Sequence, residues 1–151
     1  MSVQLQNQQT GTILSLNTSM SKGVNKKPVE ATEIVVDHGM KGDAHAANWH
    51  RQISLLAEES IEKMRAKGLE LAFGDFAENI TTRGLDLPAL PVGTRLKAGE
   101  TTLEVTQIGK KCHKGCEIFK KVGDCIMPRE GIFVKVITPG TLHCGDSITV
   151  L

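Results

Sequence analysis

Beyond residue 79 glycine and proline cut the chain into brief stretches, and this punctuation limits what it can fold into. Gly84, Pro88, Pro91, Gly93, Gly99, Gly109, Pro139, Gly140 and Gly145 separate β-prone runs at Asn79–Thr82, Thr94–Lys97, Leu103–Ile108, Ile132–Ile137 and Ser147–Leu151. Short runs bounded by turn residues read as strands of a sandwich or barrel. From Thr102 to Ile108 the residues alternate apolar and polar, as in a sheet with one wet face. Upstream, Thr10–Leu16 and the β-branched run within Ala31–Asp37 predict two more strands, and Ile53–Leu56 is a short apolar segment. The pair of glycines in His38–Asp43 marks a turn or loop.

One convincing helix is predicted from Ala57 to Lys67. Glu58 and Glu59 suit its positive end, Ala57, Ile61 and Met64 form its apolar stripe, and Gly68 stops it. A second, short helix fits between Gly115 and Val122. The sum is a mainly-β chain: a polar tail over residues 1–9, then one domain over 10–151, with one or two short helices. Closing the sheet into a barrel, fully or nearly, would remove its edges.

Composition narrows the function. At 151 residues with 40% hydrophobic and 23% charged side chains, the chain can bury a core without staples. Aromatics make up only 3% and tyrosine is absent, so a protein that binds single strands by stacking their bases is disfavoured. A net charge of +1 provides no global attraction for nucleic acid or an anionic membrane, so any anion site must be local. Residues 1–9 resemble no signal peptide and no apolar run is long enough to cross a bilayer, which makes the cytoplasm the expected compartment.

All four cysteines, Cys112, Cys116, Cys125 and Cys144, fall in the last 40 residues. The stretch from Gly109 to Lys121 surrounds Cys112 and Cys116 with five lysines, Lys111 among them, and with His113. Positive charge favours the thiolate, which is both the nucleophile and the metal ligand, and a cationic loop bearing glycine suits a phosphate-type anion. The bland alternative is a solvated basic loop. Cys125 precedes a Pro-Arg-Glu-Gly turn whose Arg129 could face an anion, whereas Cys144, beside Gly145 and Asp146, reads as structural. Only Cys112 and Cys116 form a tight pair, and a zinc ribbon needs two.

Two further segments carry chemistry-capable side chains. Within His38–Arg51, Asp43 and His45 are two apart and would share a face if extended; His50 and Arg51 add a proton carrier and an anion clamp. The three histidines match no compact zinc motif. In Phe73–Gly84, Glu78 and Asn79 could orient a ligand, although acidic turn residues more often satisfy backbone.

Taken in order, these pieces resemble the MOSC family, named for the C-terminal domain of molybdenum cofactor sulfurases. The carriers are Gly42-Asp43-Ala44-His45, Arg51 to Leu56, Phe76 to Ile80, Leu90 to Thr94, the loop at Cys112, and Gly131 through Gly145 to Ile148. The chain departs at Ala77, where the family's Phe-Gly-Glu-Asn has glycine. The resemblance implies a pyruvate-kinase-like β-barrel in a stand-alone member. It implies that Cys112 accepts sulfur from a pyridoxal-phosphate-dependent cysteine desulfurase and passes it to the molybdenum cofactor or another metal–sulfur centre. Asp43, His45, Arg51, Glu78, Asn79, Lys111, His113 and Arg129 would bind around it, with molybdenum cofactor enzymes or biosynthesis proteins as further partners. Two rival expectations remain. Relatives that reduce N-hydroxylated compounds hold the molybdenum–pterin cofactor with this cysteine as metal ligand, and a non-enzymatic pterin- or metal-binding module is the third reading. A protein that binds no cofactor tightly is also compatible with the carrier role.

Overall fold

The computed structural model describes residues 9–22, 24–109 and 130–151. In chain order the strands are β1 (Thr10–Thr18), β2 (Lys27–Val29), β3 (Ala31–Val35), β4 (Gly39–Met40) and β5 (Ile53–Ala57). Helix α1 (Glu58–Arg65) follows, then β6 (Ile80–Arg83), β7 (Arg95–Ala98), β8 (Thr101–Ile108), β9 (Ile132–Thr138), β10 (Gly140–His143) and β11 (Ser147–Val150).

The main sheet runs β11-β7-β8-β9-β5-β6-β1-β2, and β1 also pairs with β11. That last pairing, with Thr10 opposite Thr149 and Thr12 opposite Ser147, closes β11, β7, β8, β9, β5, β6 and β1 into a barrel. Strand β1 serves three neighbours along its nine residues: β11 at its start, β6 in its middle and β2 at its end. A register shift between Ile13 and Ser15 lets it turn from one to the next. A smaller sheet, β10-β3-β4, lies apart from the barrel ladder.

Strand β8 shows the predicted alternation. Thr101, Leu103 and Val105 are buried, while Glu104 on the outer face pairs with Arg95 at 3.2 Å and Lys135 at 3.6 Å on the two flanking strands. Strand β5 does not alternate, because both of its faces are covered. Ile53, Leu55 and Ala57 enter the barrel core, whereas Leu56 belongs to an outer cluster with Ile61 and Met64 of α1, Phe76 and Phe133. The helix therefore caps one wall of the barrel on the crossover from β5 to the parallel strand β6.

Predicted and observed strand ends agree to within one or two residues in most cases, and the helix is shorter at both ends. Ala57 is its N-cap, and Lys67 and Gly68 close onto Met64 and Arg65 in a tighter turn. The loop expected over His38–Asp43 contains the two-residue strand β4. A Cβ on Gly39 would fall 2.7 Å from the Gln52 carbonyl oxygen, so that ladder needs glycine. Strands β2 and β10 are additional. The helix expected at Gly115–Val122 and most of the N-terminal tail lie outside the described residues. Among the described residues, no helix is long and apolar enough to cross a membrane.

Candidate functional site

The site grows from a turn. After β4 the chain folds over Asp43, whose N–H reaches the Met40 carbonyl at 3.1 Å and whose carbonyl accepts the Ala46 N–H at 3.2 Å. Its carboxylate splits its work. Oδ1 accepts the Ser19 N–H at 3.1 Å, and Oδ2 accepts the His45 N–H at 3.1 Å. Asp43 and His45 do meet, but through this side-chain-to-backbone turn and not through alternation along an extended segment.

Lys26 completes the cluster. Its backbone N–H donates to Gly74 O at 2.7 Å, at a contact so close that a Cβ on Gly74 would lie 2.3 Å from the Lys26 carbonyl oxygen. This brings the Lys26 ammonium to 2.8 Å from Asp43 Oδ1 and 2.9 Å from His45 Nδ1. The Lys26 and Asp43 side chains are fully enclosed, while that of His45 is 28% exposed. Burial alone would push the Asp43 carboxyl upward. The hydrogen bond and charge of Lys26, the Ser19 N–H and the Asn79 side chain outweigh it, and the carboxyl stays below its ordinary range.

Beneath this cluster lies a polar floor. Asn79 accepts the Ser54 N–H at 3.0 Å and donates to Asn17 O at 3.2 Å, tying β5 to β1. Asn17 donates to Glu78 O and to Thr81 Oγ1, each at 3.1 Å, and accepts from Ser15 Oγ at 2.7 Å. Glu78 is sealed. Its carboxylate accepts the N–H groups of Gly74 at 2.9 Å and Phe76 at 3.3 Å and the Thr81 hydroxyl at 2.8 Å. Burial pushes this carboxyl above its ordinary range despite those donors. Glu78 thus holds its own turn from within, and only its neighbour Asn79 reaches toward Asp43.

Arg51 sits on the other flank. It is half-buried, its guanidinium carbon lies 4.8 Å from the Trp49 ring centre and 5.5 Å from that of Phe133, and its Nε is buried with no hydrogen-bond partner. Among the described residues no carboxylate pairs with it. Trp49 links the two flanks, since its Nε1–H donates to the His45 carbonyl at 2.9 Å. His50 Nε2 meets Gln107 Oε1 at 2.9 Å, and Thr106 Oγ1 donates to the His50 and Phe133 carbonyls. These contacts stand where β8 ends and β9 begins, with Gly109 N–H donating to Gly131 O at 2.7 Å.

Cys112, with Lys111, His113, Cys116, Cys125 and Arg129, lies outside the described residues. In sequence they fall between Gly109 at the end of β8 and Glu130 before β9. Cys144 is an exposed turn thiol whose Sγ is 3.3 Å from Val29 O. Among the described residues no group of three His, Cys, Asp or Glu is placed to hold a metal ion. A cavity of about 290 Å³ beside α1 is lined by residues such as Ser60, Lys63, Leu85 and Leu87, and none of the described candidate residues reaches it.

Of the predicted residues, then, Asp43, His45 and Asn79 form one cluster, Arg51 adjoins it through Trp49, and Glu78 is the floor. Sequence reasoning missed Lys26 and Asn17. Nothing in Asn25-Lys26-Lys27-Pro28 distinguishes a buried lysine from an exposed one. Asn17 sits at the end of a strand where an asparagine ordinarily faces water.

The family model for the MOSC domain matches residues 41–149. No curated protein matches the chain. Among solved structures, the YuaD protein from Bacillus subtilis superposes with a TM-score of 0.79 at 20% identity, over 95% of this chain and 97% of that one. YiiM from Geobacillus stearothermophilus gives 0.70 at 20% identity, covering 93% and 75%. YiiM from Escherichia coli gives 0.68 at 19% identity, covering 93% and 69%. At these identities the likeness is one of fold.

Proposed function

Because this chain belongs to the MOSC domain family, we propose that it is a sulfur carrier, taking sulfur onto Cys112 for delivery to the molybdenum cofactor or another metal–sulfur centre. One observation carries the reading. An arginine with no counter-charge among the described residues, shelved on Trp49 and Phe133, flanks the Lys26–Asp43–His45 cluster near the end of β8 and the start of β9, the two strands between which Cys112 falls in sequence. Flat aromatic shelves hold a guanidinium while leaving its N–H edge for an anion. A thiolate, a persulfide or a phosphate would answer that charge.

The transfer needs no redox partner. The Cys112 thiolate attacks the outer sulfur of a persulfide, R–S–SH, carried by a pyridoxal-phosphate-dependent cysteine desulfurase. The new S–S bond forms as the donor's breaks. The donor cysteine leaves as a thiolate, and the proton stays on the transferred sulfur. Lysines around Cys112 favour the attacking thiolate and Arg51 steadies the anion.

Intact mass after incubation with a desulfurase and cysteine tests this. The expected result is a gain of one sulfur atom that Cys112→Ser abolishes and Arg51→Met slows. Sulfur loading that survives Cys112→Ser would overturn the assignment.

The same guanidinium, unpaired among the described residues, also favours a second reading. It fits the phosphate end of a molybdenum–pterin cofactor, with Cys112 as the metal ligand. When bound, that group would supply a two-electron redox centre. Molybdenum co-purifying stoichiometrically with protein expressed in molybdate would place the chain among the cofactor-holding reductases. Tight pterin binding with neither sulfur loading nor turnover would make it a binding module.

A further inference from the structure

Lys26 has no part in that chemistry, yet burying its ammonium is costly. A fully enclosed lysine persists only where nearby groups compensate its lost hydration. Two of them are fixed by the turn. Asp43 Oδ1 lies 2.8 Å from Nζ and His45 Nδ1 lies 2.9 Å from it. The Asp43 carboxylate faces the lysine across an ion-pair distance, so the lysine is an ammonium. An ammonium donates and never accepts. Toward Lys26, His45 Nδ1 therefore offers its lone pair, and a neutral imidazole with Nδ1 accepting carries its proton on Nε2.

We infer that Lys26 is a positioning residue that locks neutral His45 in the Nε2–H form, so that His45 meets its ligand as a hydrogen-bond donor and not as a base. The competing form is close at hand. Asp43 Oδ2 lies 3.8 Å from Nδ1 and would draw a proton there if the lysine were absent, leaving Nε2 as an acceptor. It does not do so in the wild type because the Lys26 ammonium, held by Asp43 Oδ1, donates to the Nδ1 lone pair at 2.9 Å. The ligand would then be an acceptor such as a thiolate or persulfide sulfur or a phosphate oxygen. That ligand class rests on the sulfur-handling reading, whereas the tautomer stands without it.

The experiment is a long-range proton–nitrogen correlation spectrum of the ¹⁵N-labelled full chain, with the His45 signals identified by their loss in His45→Gln. The wild-type spectrum is expected to show a protonated Nε2 and a bare Nδ1 on neutral His45. A protonated Nδ1 there overturns the proposal. Lys26→Met, checked for folding by circular dichroism, should move His45 to the Nδ1–H or doubly protonated form facing Asp43, and an unchanged pattern would again overturn it. If Lys26→Met does not fold, the wild-type spectrum alone decides. Sulfur loading of Cys112, followed separately by mass, distinguishes failure of the carrier reading from failure of this one.

Discussion

Two of the buried carboxylates, Asp43 and Glu78, respond to burial in opposite ways. Asp43 and Glu78 both lose water, which pushes both carboxyls upward. Asp43 faces the Lys26 ammonium at 2.8 Å and ends below its ordinary value of 3.8. Among the described residues Glu78 faces neutral donors, from Gly74, Phe76 and Thr81, and ends above its ordinary value of 4.5. Three neutral hydrogen bonds do not replace one fixed charge. The same desolvation thus yields an ionic centre in one place and a turn lock in the other, and only the ionic centre has a partly exposed histidine beside it.

Asp43→Asn, which takes the negative partner from a buried ammonium, should destabilise the protein most. Removing one member of such a pair costs about 3–5 kcal/mol, read as a lower urea midpoint at neutral pH. Because the folded carboxyl sits below 3.8, the pair's contribution is complete above that value and disappears as pH falls through the lower folded value. The wild type's advantage over Asp43→Asn should therefore shrink in acid.

Glu78→Gln should cost less, about 1–3 kcal/mol, because an amide cannot accept from all three donors. Its pH dependence runs the other way. A carboxyl raised above 4.5 contributes fully below that value, and the contribution is lost as pH rises through the folded value. Wild type and Glu78→Gln should thus converge with rising pH. Parallel profiles for the two variants would contradict the opposite electrostatic settings drawn here.

The smallest expected effect concerns the turn that the Glu78 carboxylate holds. Ala77 is held at φ +61°, a left-handed conformation that costs a residue with a Cβ roughly 1–2 kcal/mol. Ala77→Gly should stabilise the protein by about 0.5–1 kcal/mol once the extra freedom of glycine in the unfolded chain is deducted, visible as a higher thermal midpoint.

The sequence made the barrel legible where one wall of a strand is wet. Strand β8 alternates because Glu104 must face water while Leu103 and Val105 fill the interior. Strand β5 gave no such signal, since α1 and Phe133 cover its outer side. Strands β2, β4 and β10 are short and contain Pro28, Gly39 and Gly140, residues that mark turns in a one-dimensional reading. Ala77 stands out in the sequence only as a departure from a glycine pattern; its positive φ is a property of the folded turn.

The mainly-β class, the helix over Glu58–Arg65, the family and the acidic, histidine and arginine positions around the candidate site are legible in the sequence alone. These are carried by local periodicity, turn chemistry and residue identity. Only the tertiary structure decided that Lys26, 17 residues before Asp43, lies dry between that carboxylate and His45, and that Glu78 faces inward while Asn79 beside it faces the cluster. A side chain's dielectric surroundings and its partner across the fold are set by which strands meet, and no local pattern encodes that.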